Sequence, residues 1–87
     1  MAYRRTPVFT ETTLPGGLRR RHQTKAGTWG LLVVIEGELR FRRLDPFCEV
    51  TLAPNAVAVI APGEAHEVEP IGPVRFYVEF YSAPDAD

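Results

Sequence analysis

The sequence has a single cysteine, Cys48, in 87 residues, which excludes an internal disulfide framework and any cysteine-based zinc knuckle. It has no surplus of either charge: 10 basic and 11 acidic residues leave a formal net charge of −1. Proteins that bind nucleic acid without specificity carry a basic excess, so no nucleic-acid partner is expected. Long apolar runs are missing too. The longest, residues 31–35, falls far short of the ~20 residues a membrane helix needs. Residues 4–8, Arg-Arg-Thr-Pro-Val, lack the apolar core of a signal peptide. The expectation is a cytoplasmic protein with no membrane partner. Helical periodicity is absent as well, since no stretch repeats apolar residues at i, i+3, i+4 and i+7 over three turns.

Punctuation, by contrast, is plentiful, with 8 prolines and 7 glycines cutting the chain into short pieces. Hydrophobic residues make up 45% and charged residues 24%, the balance of a globular domain rather than a disordered chain. At this length one domain is expected, over residues 1–87 with loose ends at 1–6 and 82–87. It buries only about 60–65% of the surface of the unfolded chain. Short β-rich runs with turn signals every 8–12 residues give an all-β class, a sandwich or barrel. The runs are 9–14, 18–24, 29–35, 39–44, 47–52, 56–60, 66–69 and 74–81. Run 29–35 is apolar enough for a central strand covered on both faces. Glu36-Gly37-Glu38 reads as a hairpin turn. In run 39–44, Leu39 and Phe41 share one face and Arg40 and Arg42 the other. With no room for crossover helices, the sheet must be antiparallel, and closure into a barrel is the usual way such a chain hides its edges.

Residues 66–81 read as a final hairpin with Ile71-Gly72-Pro73 as its loop. That register sets His66 opposite Val78, Val68 opposite Phe76 and Glu69 opposite Arg75. It gathers His66, Val68, Val74, Phe76, Val78 and Phe80 indoors and leaves Glu67, Glu69, Tyr77, Glu79 and Tyr81 outdoors. An interior histidine needs a partner for each ring nitrogen that water no longer serves. The chain has two histidines, so His22 is the candidate to converge on His66. Trp29, Phe41, Phe76 and Phe80 are expected first as core. Exposed Tyr77 and Tyr81 mark an outer face suited to a homodimer. The arginines at 19–21, 40, 42 and 43 can form a basic stripe or pair with Glu36, Glu38, Glu67 and Glu69; the near-zero net charge favours pairing. Cys48 has no histidine near it in sequence and is read as a buried or idle thiol rather than a redox or nucleophilic one.

Three segments carry a resemblance: His22-Gln23-Thr24-Lys25-Ala26-Gly27-Thr28-Trp29-Gly30, Pro62-Gly63-Glu64-Ala65-His66 and Val78-Glu79-Phe80-Tyr81. With the Val34-Ile35-Glu36-Gly37-Glu38-Leu39 turn, they resemble the cupin superfamily. More narrowly they resemble the YeaR-like proteins and the short domain attached to some TehB-type tellurite-resistance methyltransferases, over about residues 5–81. The resemblance implies a cupin-type (double-stranded β-helix or jelly-roll) antiparallel barrel. It also implies a small-molecule or oxyanion-binding protein in a stress or detoxification setting, with or without one divalent metal ion (Zn, Fe or Mn). His22 and His66 would hold that ion. Thr24 and Trp29 or Gly30 stand where the full cupin pattern places further ligands, so the third ligand is Glu79, Glu64 or none. Glu79 is offered by the closing-strand pattern, although the hairpin register above turns it away from His66. Lys25, the only lysine, sits at a bend beside His22 and is either an anion contact at a pocket mouth or a solvated turn residue. Two further readings stay open, a metal-dependent cupin enzyme of dioxygenase or isomerase type and a non-catalytic dimerisation or interaction module. No SAM-binding glycine-rich βα turn is present, so methyltransferase activity is not carried over to this chain.

Overall fold

The structure, a computed structural model, describes residues 3–20 and 22–82, without the side chains of Tyr3, His22 and Ser82. Two long strands organise it, β4 (Thr28–Leu44) and β7 (Ala65–Ser82). They pair antiparallel along nearly their whole length, from Thr28↔Ser82 through Leu32↔Val78 to Phe41↔Val68 and Arg43↔His66. Midway both chains bend together. The ladder shifts register between Val34 and Glu36 and again between Gly37 and Glu38, and Gly72 and Pro73 fall between the paired residues Ile71 and Val74. Gly37 and Gly72 take positive φ there, 76° and 73°. The side chain of Glu11, in the segment after Phe9–Thr10, accepts the Val74 N–H at 3.0 Å, which occupies a backbone donor beside the bend.

The two expected hairpins at 36–38 and 71–73 are therefore bulges in one continuous pair of strands. A Gly-centred tripeptide serves a turn and a bulge equally well, because both need an αL residue. The proline at 73 is tolerated because it stands outside the ladder. The predicted pairs His66–Val78, Val68–Phe76 and Glu69–Arg75 do not form. Each of those residues pairs with β4 instead.

The remaining strands are short. β1 (Tyr3–Arg5), β2 (Phe9–Thr10) and β3 (His22–Gln23) add to β7, while β5 (Phe47–Leu52) and β6 (Val57–Ile60) add to opposite halves of β4. Residues 3–5, assigned to a loose end from sequence, belong to the sheet; residues 83–87 lie outside the described residues. A four-residue 3₁₀ turn, Gly16–Arg19, replaces the start of the expected run 18–24. Among the described residues no helix is long and apolar enough to cross a membrane. The path β1-β7-β4-β5, with β2, β3 and β6 as side branches, makes one antiparallel sheet folded over itself. It is all-β, as expected, but not a closed barrel: among the described residues no pairing joins the strands carried by β4 to those carried by β7.

The fold puts alternate residues inside. Leu32, Val34, Leu39, Phe41, Val68, Val74 and Phe76 are essentially inaccessible, and Val78, Ala58, Ile60 and Leu52 pack with them. The outer surfaces of the two limbs differ. On the limb where β4 meets β5, Arg42 Nε lies 2.7 Å from Glu49 and Nη1 3.1 Å from Glu67, Nη2 contacts Glu69, and Arg40 lies 3.5 Å from Glu69. The strand arginines thus pair with glutamates across the ladder, although Arg75 takes Glu36 at 3.1 Å rather than Glu69. On the limb where β4 meets β6, the outer residues are apolar, and Trp29, expected in the core, is 43% exposed. This half of β4 is covered on one face only.

Gly37 gives the sharpest test of the bend. A Cβ there would lie 2.1 Å from the Pro73 carbonyl oxygen, whereas one on Gly72 meets open space. Both carry the αL penalty of ~1–2 kcal/mol, and only Gly37→Ala adds a backbone clash. Gly37→Ala should lower the thermal midpoint by more than about 10 °C or prevent folding, and Gly72→Ala should lower it by less than about 10 °C. Equal losses would show that the strands do not approach at this point.

Candidate functional site

Between the folded limbs lies a hollow of about 210 Å³, roofed by the 3₁₀ turn and by β2. Its lining is mostly apolar, with Phe9, Leu18, Leu32, Ile60 and Phe80 prominent and Thr24 and His66 among the few polar members. His66 reaches it because it shares parity with Val68 on β7, and it is 2% exposed. Its Nδ1 lies 2.9 Å from the Glu64 carbonyl oxygen. A carbonyl only accepts, so Nδ1 is the donor in this contact. The ring stacks on Phe41 at a centroid distance of 5.9 Å.

The backbone sets His22 directly opposite His66 in the β3–β7 ladder. The His22 side chain lies outside the described residues. Glu64 is used locally: its Oε1 accepts the Ala61 N–H at 3.1 Å, and its Oε2 lies 3.7 Å from Arg43 Nε. Glu79 stands on the other side of the sheet from His66, beside the half-buried Tyr77 and Tyr81, and is itself buried at 8% exposure. Its Oε2 accepts from Arg5 at 2.7 Å and its Oε1 from the Tyr81 hydroxyl at 2.7 Å, while the Arg5 guanidinium lies 4.4 Å over the Tyr77 ring. Strand alternation thus separates Glu79 from His66, and the carboxylate does not complete a ligand set with it. Among the described residues no three His, Cys, Asp or Glu side chains gather to hold a metal ion. Lys25 is exposed in the turn before β4, where its carbonyl accepts the Thr28 N–H at 3.1 Å, and it does not line the hollow. Cys48 is an exposed free thiol on β5.

Sequence reasoning missed Arg43. It pairs in register with His66, lies 5.0 Å over the Phe41 ring and donates to the Val59 carbonyl at 2.9 Å. Its Nη1 is buried without a hydrogen-bond partner among the described residues. The signal was present, because Arg43 continues the inward parity of Leu39 and Phe41.

On the charged outer face, Arg42 is raised above its ordinary value, first by Glu49 and then by Glu69. Glu69 is held below the usual carboxylate range, chiefly by its hydrogen bond to Arg42.

Comparison with known proteins adds what the geometry leaves open. The TehB-like domain family matches residues 4–78. Two relatives from different Haemophilus influenzae strains, each described as a probable S-adenosyl-L-methionine-dependent methyltransferase TehB, are 35% and 34% identical over 74 residues. The match covers 79% of this chain but 26% of each relative, so the chain spans about a quarter of their length. Among solved structures, a protein from Escherichia coli K12 superimposes with a TM-score of 0.86 at 25% identity, covering 94% of this chain and 89% of that one. TehB from Haemophilus influenzae superimposes with a TM-score of 0.85 at 29% identity, covering 95% of this chain and 31% of TehB.

These relatives correct the functional expectation. They are named for S-adenosylmethionine-dependent methyl transfer, not for binding small molecules or oxyanions in a metal-dependent cupin or for a cupin enzyme of dioxygenase or isomerase type. The cofactor they point to is S-adenosylmethionine and not a zinc, iron or manganese ion.

Two outcomes follow. Incubation with EDTA should leave the thermal midpoint of the purified chain unchanged; a drop reversed by added zinc, iron or manganese would restore a metal site. The depressed Glu69 gives stability that is present above the unfolded value near ~4.3 and lost as pH falls through its lower folded value. The stability gap between the wild type and Glu69→Gln, read as urea midpoints, should be full at pH 6 and close as pH falls below about 4. A gap that does not change with pH would remove the ion pair as its cause.

Proposed function

The chain belongs to the TehB-like domain family, and from that membership we propose that it serves S-adenosylmethionine-dependent methyl transfer as the all-β partner of a separately folded methyltransferase domain. The observation that carries this reading is the division of length. The chain corresponds to 26% of relatives named as such methyltransferases, and its described residues do not offer what binding the donor requires. S-adenosylmethionine carries an adenosine, a sulfonium and an amino-acid head. Sites for such nucleotide-like groups use a glycine-rich turn from a strand into a helix and a carboxylate for the ribose hydroxyls. Among the described residues the one helical segment is a four-residue 3₁₀ turn with no acidic residue in it, and no carboxylate lines the hollow. The donor does not fit this chain, and no step of methyl transfer is assigned to its residues. His66, tied to a backbone carbonyl and stacked on Phe41, anchors the start of β7. The domain's contribution is to position, not to react. An exposed Cys48 thiol suits a reducing compartment, which supports a cytoplasmic place of work.

Domain exchange tests the reading. The segment of Haemophilus influenzae TehB that matches this chain is deleted, or replaced by it, and release of S-adenosylhomocysteine is followed with tellurite as the acceptor. The deletion should lose turnover, the exchange should recover it to within about tenfold, and the isolated chain should bind no S-adenosylmethionine up to about 1 mM by calorimetry. Donor binding by the isolated chain, or an exchange no better than the deletion, would overturn it.

A further inference from the structure

The two outer faces of the folded sheet come from the same two strands, yet one is closed to partners by its own charges and the other is bare. Beyond the bend, Arg40 and Arg42 pair with Glu49, Glu67 and Glu69 and the face is solvated. Before it, the ladder sets Leu31 beside Val59, Val33 beside Val57 and Trp29 beside Tyr81, so their side chains share one surface. Val57 and Val59 are about half exposed and Trp29 is 43% exposed. The one carboxylate on this side, Glu79, is buried at 8% exposure and bonded to Arg5 and the Tyr81 hydroxyl, so it leaves little charge on the surface. A surface with its charge internally paired and an apolar centre is complementary to itself, as an isologous twofold contact requires.

We propose that this face joins two copies of the chain, sheet against sheet. Strands ~4.8 Å apart rising ~3.3 Å per residue give four strands, β6-β4-β7-β1, a patch roughly 20 Å on a side. Two such patches bury on the order of 1,000 Å², near the lower bound for a specific interface, which fits a reversible dimer rather than an obligate one. Sheets pack face to face about 10 Å apart, close enough for Trp29 of each copy to lose its water. The Escherichia coli relative, of which the domain makes up 89%, shows that this architecture also occurs without a large tethered domain to cover the face. The inference stands independently of the methyltransferase reading.

Trp29 is the only tryptophan, so its fluorescence reports this face without any substitution. Sedimentation equilibrium and iodide quenching are measured on the full chain up to about 1 mM. The mass should rise from 9.7 kDa towards twice that value as the emission shifts to the blue and quenching falls. Val59→Glu, which sets like charges against each other across the twofold, should raise the dissociation constant at least ~tenfold. Val50→Glu on β5, also exposed but outside the patch, should leave it unchanged. A chain that stays monomeric overturns the proposal. So does a dimer broken by Val50→Glu and not by Val59→Glu, which assigns the contact to the β5 edge. Protection of Trp29 only on adding the remaining three-quarters of Haemophilus influenzae TehB overturns it too, giving the face to the catalytic domain.

Discussion

The pairing of β4 with β7 on both sides of a single bend is the constraint from which the rest of the structure follows. Each strand would leave a row of open hydrogen-bonding groups if it ended at the bend. Running on together, they satisfy one another over both limbs, and the short strands need only dock on them. The bend requires backbone to approach backbone at Gly37 and Pro73, where a side chain has no room. Folding over then turns one alternating pattern into a shared interior: inward residues of both limbs face each other and bury Phe41 and Phe76 completely. Each large side chain buried in this way contributes about 1.5–3 kcal/mol against the entropy of ordering the chain.

The same geometry decides what is available for function. Alternation gives His66 to the interior and Glu79 to the outside, and a one-residue slip would exchange them. The interior histidine is held by a carbonyl and an aromatic ring, and the outer carboxylate by an arginine and a tyrosine. Neither arrangement makes a donor site for S-adenosylmethionine. The domain's chemistry is that of surfaces: one face neutralised by ion pairs, one face apolar, and a small hollow between. On the proposed function such a module works by being placed beside a methyltransferase domain, and the chain matches about a quarter of the length of its relatives.

Much of this was legible from sequence because strand alternation is a local signal. The all-β class, the limits of β5, the inward Leu39 and Phe41 against outward Arg40 and Arg42, and the outward Tyr77 and Tyr81 follow from a period of two. The motif around residues 62–66 and the segment 22–30 pointed to the family that the match over residues 4–78 shows. What was not legible depends on distance along the chain. A Gly-containing tripeptide does not reveal whether the strand returns on itself or continues past a bulge, and choosing the hairpin at 71–73 misassigned every partner in β7. Trp29 was placed in the core because bulk suggests burial, whereas the sheet covers only one side of its strand. The expectation of a metal rested on resemblance to a superfamily, and strand parity already argued against Glu79 as its third ligand.

The claim that β4 and β7 form one continuous bent pair is tested most directly by cross-strand backbone nuclear Overhauser contacts in the isotopically labelled chain. The account predicts contacts between Phe41 and Val68 and between Leu32 and Val78 in the same molecule. Contacts between His66 and Val78, or between Val68 and Phe76, would contradict it, because they require residues 66–81 to close into a hairpin of their own.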